Sequence, residues 1–176
     1  MKKFFKNSIW LIVVTIIILA LDQYTKWLVR SNLALGEMWS PWEWLSPYAR
    51  IVYWKNTGVA FGMLQGMNTV FIILAAIVSL GILYFFQSIP KKDWLIRLAL
   101  MLELGGALGN LIDRITVGHV IDFISVGTFP VFNVADSCIT VGVIVLLLGV
   151  WIQDRREKNQ GHSQSGEKDT VNETLP

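Results

Sequence analysis

Four long apolar blocks dominate this sequence and leave few folds open to it. They fall at about 8–29, 68–87, 94–112 and 134–153. Each approaches the roughly 20 residues that a helix needs to cross a hydrocarbon core of about 30 Å. The chain is 53% hydrophobic, above the roughly 45–50% of soluble domains even when Gly is counted, and the excess sits in these blocks. The predicted class is an all-α membrane protein with four transmembrane helices.

The basic residues predict the orientation. Lys2, Lys3 and Lys6 precede the first block, Lys91, Lys92 and Arg97 surround the second connection, and Arg155, Arg156 and Lys158 follow the last block. The third connection, about 113–133, holds only Arg114. Positive-inside reasoning puts both termini and the 88–93 loop in the cytoplasm, and the first and third connections outside. Arg30, Arg50 and Lys55 in the first connection weaken this count without reversing it. The net charge of +2 is too small to suggest nucleic acid binding. The first block follows three lysines, as in a signal peptide. No small-x-small cleavage pattern follows it, and the apolar run continues through Trp27, Leu28 and Val29, so it reads as an uncleaved span.

The first connection, about 30–67, is too aromatic for a plain loop. Trp39, Trp42, Trp44, Tyr48, Tyr53 and Trp54 form an interfacial belt. Residues Met38 to Leu45 predict a short interfacial helix, Ala49 to Lys55 a strand, and Asn56-Thr-Gly58 a turn. Residues 1–158 make the membrane domain, and the polar segment 159–176 predicts a disordered cytoplasmic tail.

Ionisable groups at a membrane face are costly and therefore candidates for function. Asp122 lies in Val120-Ile-Asp-Phe123, and Asp136 lies in Phe132-Asn-Val-Ala-Asp-Ser137, which opens into the fourth block. Brought together, two carboxyls can share one proton and activate a water. Asp136 is also placed to cap the fourth helix, and Asp122 could be a solvated loop carboxylate. Asn133 could orient one of them. Asp22 and Lys26 are spaced as an ion pair on one helix face, or as a device that positions a substrate or the loop above. In Gly105-Gly-Ala-Leu-Gly-Asn-Leu-Ile-Asp-Arg114, Gly105 and Gly109 have helix-packing spacing. Arg114 can snorkel to headgroups or hydrogen-bond a carboxylate or peptide carbonyl. The single cysteine, Cys138, excludes an internal disulfide and a Cys-rich metal site. His119 stands without a second ligand nearby. Ser137 has no histidine partner, which leaves only a pairing with Lys26 open.

These segments, with Asp22-Gln-Tyr-Thr-Lys26, Asn56-Thr-Gly-Val-Ala-Phe-Gly62 and Phe129-Pro-Val-Phe-Asn-Val-Ala-Asp-Ser137, occur in an order that resembles the lipoprotein signal peptidases, or signal peptidase II. The resemblance covers about residues 8–153. It implies a bacterial cytoplasmic-membrane aspartic endopeptidase that removes signal peptides from prolipoproteins, cutting before a diacylglyceryl-modified cysteine. It implies Asp122 and Asp136 as the catalytic pair. Asp22, Lys26, Asn56, Gly58, Asn110, Arg114 and Asn133 fall on positions lining the site. The outer segment should form a small sheet and an interfacial arm. No cofactor or metal is expected; the partners are lipid-modified prolipoproteins and membrane lipid, not nucleic acid, and the protein is expected to be monomeric. The link from Asp122 to Asp136 is shorter than in many relatives, and Glu103 is an acid without a family role. A small ion- or proton-coupled transporter, with Asp22, Lys26, Glu103 and Asp113 as a relay, is the alternative. A metal-dependent head-group transferase is less suited, because the acids are scattered over separate motifs.

Overall fold

The computed structural model describes the backbone of residues 2–58 and 65–173, and the side chains of 8–58 and 65–158. Among these residues lie four helices: α1 (Lys2–Asn32), α2 (Asn68–Phe85), α3 (Trp94–Thr116) and α4 (Val134–Glu173). Their apolar portions, Ser8–Asn32, Asn68–Ser88, Trp94–Thr116 and Val134–Lys158, are each long enough to cross a membrane. The first and third run on to Asn32 and Thr116, whose side chains bond the Leu28 and Ile112 carbonyls one turn back and so need not leave the helix. The helical path of α4 continues to Glu173. The side chains of 159–176, the tail expected to be disordered, lie outside the described residues.

Helix α3 is the axis of the bundle and touches the other three. Over half of its most apolar stretch is buried (56%), against 17% for α2 and for α4. Those two instead present large apolar side chains outward, such as Ile77, Leu80, Leu147 and Trp151, as lipid-facing helices do. The glycines of α3 permit this central position. A Cβ on Gly105 would stand 2.8 Å from Ile18 Cβ of α1, and one on Gly109 would stand 2.7 Å from Asp22 Oδ2. One on Gly106, on another face, would run into the Ala135 carbonyl oxygen and stand 2.6 Å from Ile139 Cγ1 of α4. Gly142 and Gly149 of α4 return the contact, against Glu103 and Ile96. These pairs fix the directions: α1 runs parallel to α3, and α4 antiparallel to it.

Leu11, Ile82, Phe86, Met101 and Leu104 form the buried apolar cluster at the other end, where α1, α2 and α3 meet. There the Arg97 guanidinium lies 4.1 Å from the Phe86 ring centroid. It donates to the Ile89 carbonyl at 2.9 Å, which satisfies an acceptor freed where α2 ends.

A three-stranded antiparallel sheet covers the site end, in the order β1 (Met38–Trp39), β2 (Ala49–Asn56), β3 (Val120–Val126). The strand expected at 49–55 is present and one residue longer. The interfacial helix expected over Met38–Leu45 is not formed. Met38 and Trp39 pair with Val52 and Ile51 instead, and only Glu43–Leu45 makes a 3₁₀ turn. Backbone groups near a membrane surface need partners, and the edge of β2 offers them. Trp42 and Trp44 stack beside it with centroids 6.0 Å apart and remain exposed. Strand β3 lies where the sequence allowed a solvated loop. Gly118 makes it possible: its φ of 80° turns the chain back from α3 at little steric cost.

Close approach at Gly106 sets the α3–α4 distance, so Gly106→Ala should force the two helices apart. Overpacking of this kind costs about 1–3 kcal/mol. Thermal unfolding in detergent should show a clear loss, whereas Gly36→Ala, in open space but at φ 83°, should disturb only the outer loop. An unchanged midpoint for Gly106→Ala would contradict the packing described.

Candidate active site

The site is built from a buried cation outward. Lys26 is 1% exposed, and its ammonium has three donors. They meet Asp22 Oδ2 at 2.8 Å, Asp113 Oδ2 at 2.8 Å and Asn110 Oδ1 at 3.1 Å. A buried charge is tolerable only when paired and hydrogen-bonded, and this one has a partner for each proton. The carboxylates are themselves satisfied. Asp22 Oδ1 accepts the Ala135 N–H at 2.9 Å, an orphan donor of the first turn of α4. Asp113 accepts the Ile121 N–H at 3.1 Å and Gln23 Nε2 at 3.0 Å. One cluster therefore ties α1, α3, β3 and α4 together. The expected Asp22–Lys26 pair is present. Sequence reasoning left Asp113 and Gln23 outside the site; the i,i+3 spacing of Asn110 and Asp113 on one helix face was the available signal.

Three asparagines carry this order to the two aspartates. The ammonium holds Asn110 Oδ1, so Asn110 Nδ2 points away from it and donates to Asp136 Oδ1 at 2.7 Å. Asn133 Oδ1 accepts the Asp136 N–H at 2.9 Å. Its Nδ2 therefore faces the other way and donates to Asp122 Oδ1 at 2.7 Å, with Asn110 Oδ1 and the Ile121 carbonyl close by. Asn56 Oδ1 accepts the Gly58 N–H at 3.0 Å, and its Nδ2 donates to Asp122 Oδ2 at 2.8 Å. Amide orientation is normally ambiguous; here a cation or a backbone N–H decides each one.

Asn133, not Asp136, is the N-cap of α4. Asp136 stands three residues on, and its Oδ2 accepts the Asn133 N–H at 3.2 Å. The two form a reciprocal capping box, which corrects the expectation that Asp136 itself caps. The cap joins the two acids: the residue that ends the β3–α4 link grips Asp136 with its backbone and Asp122 with its side chain. Asp122 reaches this point because Trp54 opposes it across the β2–β3 pair, leaving Asn56 as its diagonal neighbour on the same face.

Asp122 is buried. Burial pushes its carboxyl up to about 7, and the Asp136 charge pushes the same way. The hydrogen bonds from Asn56 and Asn133 and the Lys26 charge oppose this. Among the described residues, Arg114 forms no ion pair with a carboxylate. It donates to the Gly58 carbonyl at 3.3 Å and lies 5.1 Å from the Phe71 ring centroid, which anchors the turn bearing Asn56. The rest of the Asn56–Gly62 segment, from residue 59, lies outside the described residues. Ser137 Oγ is committed to the Asn133 carbonyl at 2.9 Å, and Lys26 has no proton to spare, so no Ser137–Lys26 pairing forms. His119 Nδ1 sits 2.8 Å from the Val117 carbonyl, and burial, followed by the Lys55 charge, lowers its pKa. Two clefts open onto the aspartates. One, of about 580 Å³, includes Asp136; the other, of about 500 Å³, includes Asp122.

Residues 14–152 match the family described as signal peptidase (SPase) II. The chain belongs to the signal peptidase II family. It is 44% identical over 150 residues to the lipoprotein signal peptidase of Shouchella clausii (strain KSM-K16), covering 83% of this chain and 95% of that one. It is 42% identical over 149 residues to that of Symbiobacterium thermophilum (strain DSM 24528 / JCM 14929 / IAM 14863 / T), covering 82% and 96%. Among solved structures it is similar to a bacterial membrane enzyme determined by the in meso method at 2.3 Å, with TM-score 0.76, 32% identity, and coverage of 84% and 90%. The protein is thus a bacterial inner-membrane protease, and the transporter alternative has no support.

Replacing Lys26 by Met should leave Asp22 and Asp113 buried without their cation. Breaking a buried pair in this way costs about 3–5 kcal/mol. Purified Lys26→Met protein should unfold well below the parent and turn over poorly. Parent-like stability would mean that the cluster does not hold the helix ends together.

Proposed function

We propose that Asp122 and Asp136 are the catalytic pair of an aspartic endopeptidase that cuts diacylglyceryl-modified prolipoproteins before the lipidated cysteine. Family membership makes the chain a protease of prolipoprotein processing. The observation that carries the catalytic reading is the set of amide donors. Each of the four carboxyl oxygens receives one N–H of fixed direction, from Asn56, Asn110 or Asn133. Donors so arranged suit two acids that exchange protons. They do not suit a divalent cation, which wants oxygen ligands turned inward.

In the proposed reaction one carboxylate draws a proton from a water, and the water oxygen bonds to the scissile carbonyl carbon. The other, protonated, carboxyl donates to the carbonyl oxygen. The tetrahedral intermediate collapses as the C–N bond breaks, and a proton from the pair passes to the leaving nitrogen. Burial, followed by the Asp136 charge, raises the Asp122 carboxyl, so one proton stays on the pair near neutral pH. Titration belongs to the pair rather than to either residue. All these groups come from one chain, so the proposed reaction needs no second copy.

The distribution of Lys and Arg supports an orientation with both termini cytoplasmic and the aspartates near the extracytoplasmic face. A reporter inserted near Gly36 should then read extracytoplasmic; a cytoplasmic reading would reverse the topology.

The test is cleavage of a synthetic diacylglyceryl prolipoprotein peptide by purified protein. Asp122→Asn and Asp136→Asn should each lower the single-turnover rate by several factors of ten while the protein remains folded. Near-parental turnover by either variant would remove that residue from the mechanism. The rate should survive a chelator and Ser137→Ala.

The pH dependence has a defined sign. The raised pKa of Asp122 means that the pair keeps its proton below about 7. It loses it above, leaving no donor for the carbonyl. kcat/KM should therefore fall on the alkaline side, approaching tenfold per pH unit. A profile flat from about pH 6 to about pH 9 would exclude a shared proton.

A further inference from the structure

The two clefts that meet at the aspartates differ in chemistry. The cleft on the Asp136 side runs along α4 and is walled by Val120, Phe132, Ile139 and Val141; Arg114 also lines it, with its guanidinium engaged by the Gly58 carbonyl. It lies partly in a membrane-crossing helix and suits an apolar occupant. The groove on the Asp122 side lies on the sheet and its loops, outside the spans, and is lined by Arg50, Trp54, Lys55, Gln65, Ser125 and Thr128. Asn56 and the Phe129-Pro-Val131 segment line both. An extended chain passing from one to the other crosses the aspartates at this shared wall.

The cut separates two parts of unequal polarity. The signal peptide and the acyl chains are apolar and stay in the bilayer. The chain that follows the lipidated cysteine is polar and leaves it. We propose that the groove on the Asp122 side receives the first residues after the lipidated cysteine, and that Arg50 and Lys55 make it select acidic side chains there.

This rests on the function proposed above and adds the polarity of the exit side. Among the described residues, neither Arg50 nor Lys55 forms an ion pair or a side-chain hydrogen bond; the ion pairs there belong to Lys26 and Lys158. The acid that lines the groove is Asp122 itself, at its inner end and already held by two amides. The outer part is therefore a field of unneutralised positive charge.

The experiment uses three diacylglyceryl peptides, identical through the cysteine and carrying Asp-Asp, Ser-Ser or Lys-Lys immediately after it. kcat and KM are measured in detergent at low and high salt. For the parent protein the order should be acidic, neutral, basic, with steps of roughly three- to tenfold that appear in KM, and high salt should compress them. The Arg50→Gln/Lys55→Gln double variant, shown to be folded by a parent-like thermal midpoint in detergent, should flatten the series. Lys55→Glu should invert it. Equal cleavage of all three peptides by the parent, or an order that persists in the double variant, would overturn the inference alone. Cleavage of none would overturn the proposed function, and the inference with it.

Discussion

The Lys26 ammonium is the interaction on which the site end of this protein depends. Its three hydrogen-bond partners come from α1 and α3, and those partners in turn hold the first turn of α4 and the start of β3. A bundle of apolar helices in lipid has little reason to choose one relative depth over another, because one apolar contact resembles the next. A buried charge cluster does choose. Sliding α1 by one residue along α3 would strand a cation and two carboxylates in a poorly solvating medium, so the register of the helices is set here. The glycines at 105, 106 and 109 let the backbones come close enough for these short side chains to meet.

From that anchor the order passes outward by hydrogen-bond direction rather than by charge. Lys26 orients Asn110; the first turn of α4 orients Asn133; the turn at Gly58 orients Asn56. Each then has an N–H to give to an aspartate. The two acids come from different contexts, one a strand and one a helix N-terminus, and would have no reason to meet without the β3–α4 link. Asn133 closes that link and couples capping to the placement of both acids. Removing its side-chain amide would cost the helix its N-cap, worth about 0.5–2 kcal/mol, and Asp122 a donor, while Asp136 would keep the Asn133 backbone N–H. The segment Phe129 to Val131 lines both clefts that open onto the acids, so the proposed sorting of the substrate would rest on the same short loop that positions them.

Much of this was legible in the sequence, and what was not has a physical reason. The four spans follow from block length alone, and the strand at 49–55 from its β-branched and aromatic residues. The aspartates stood out because charge is rare near apolar runs. The resemblance to signal peptidase II, carried by five short segments in order, placed Asn56, Asn110, Asn133 and Arg114 near the site. Their partners were not legible, because pairing across 66 or 84 residues, as for Asn56–Asp122 and Lys26–Asn110, leaves no local pattern. Asp136 looked like a cap because Asp is a good one; that Asn133 caps instead depends on which residue the incoming chain leaves in extended geometry. The Trp-rich segment misled for a related reason: its composition suits an interfacial helix, but an open strand edge beside it offered better backbone partners. Glu103 has no partner for Oε1 among the described residues, and nothing in the site uses it.

In the proposed mechanism Asp122 and Asp136 act as one unit around a single shared proton. The most direct measurement compares single-turnover cleavage of one lipidated peptide by the parent, Asp122→Asn, Asp136→Asn and the variant carrying both changes, each shown to be folded. A unit fails when either member is lost, so the double variant should be about as slow as the slower single one. Losses that multiply, with each aspartate contributing its own factor to the rate, would contradict the account.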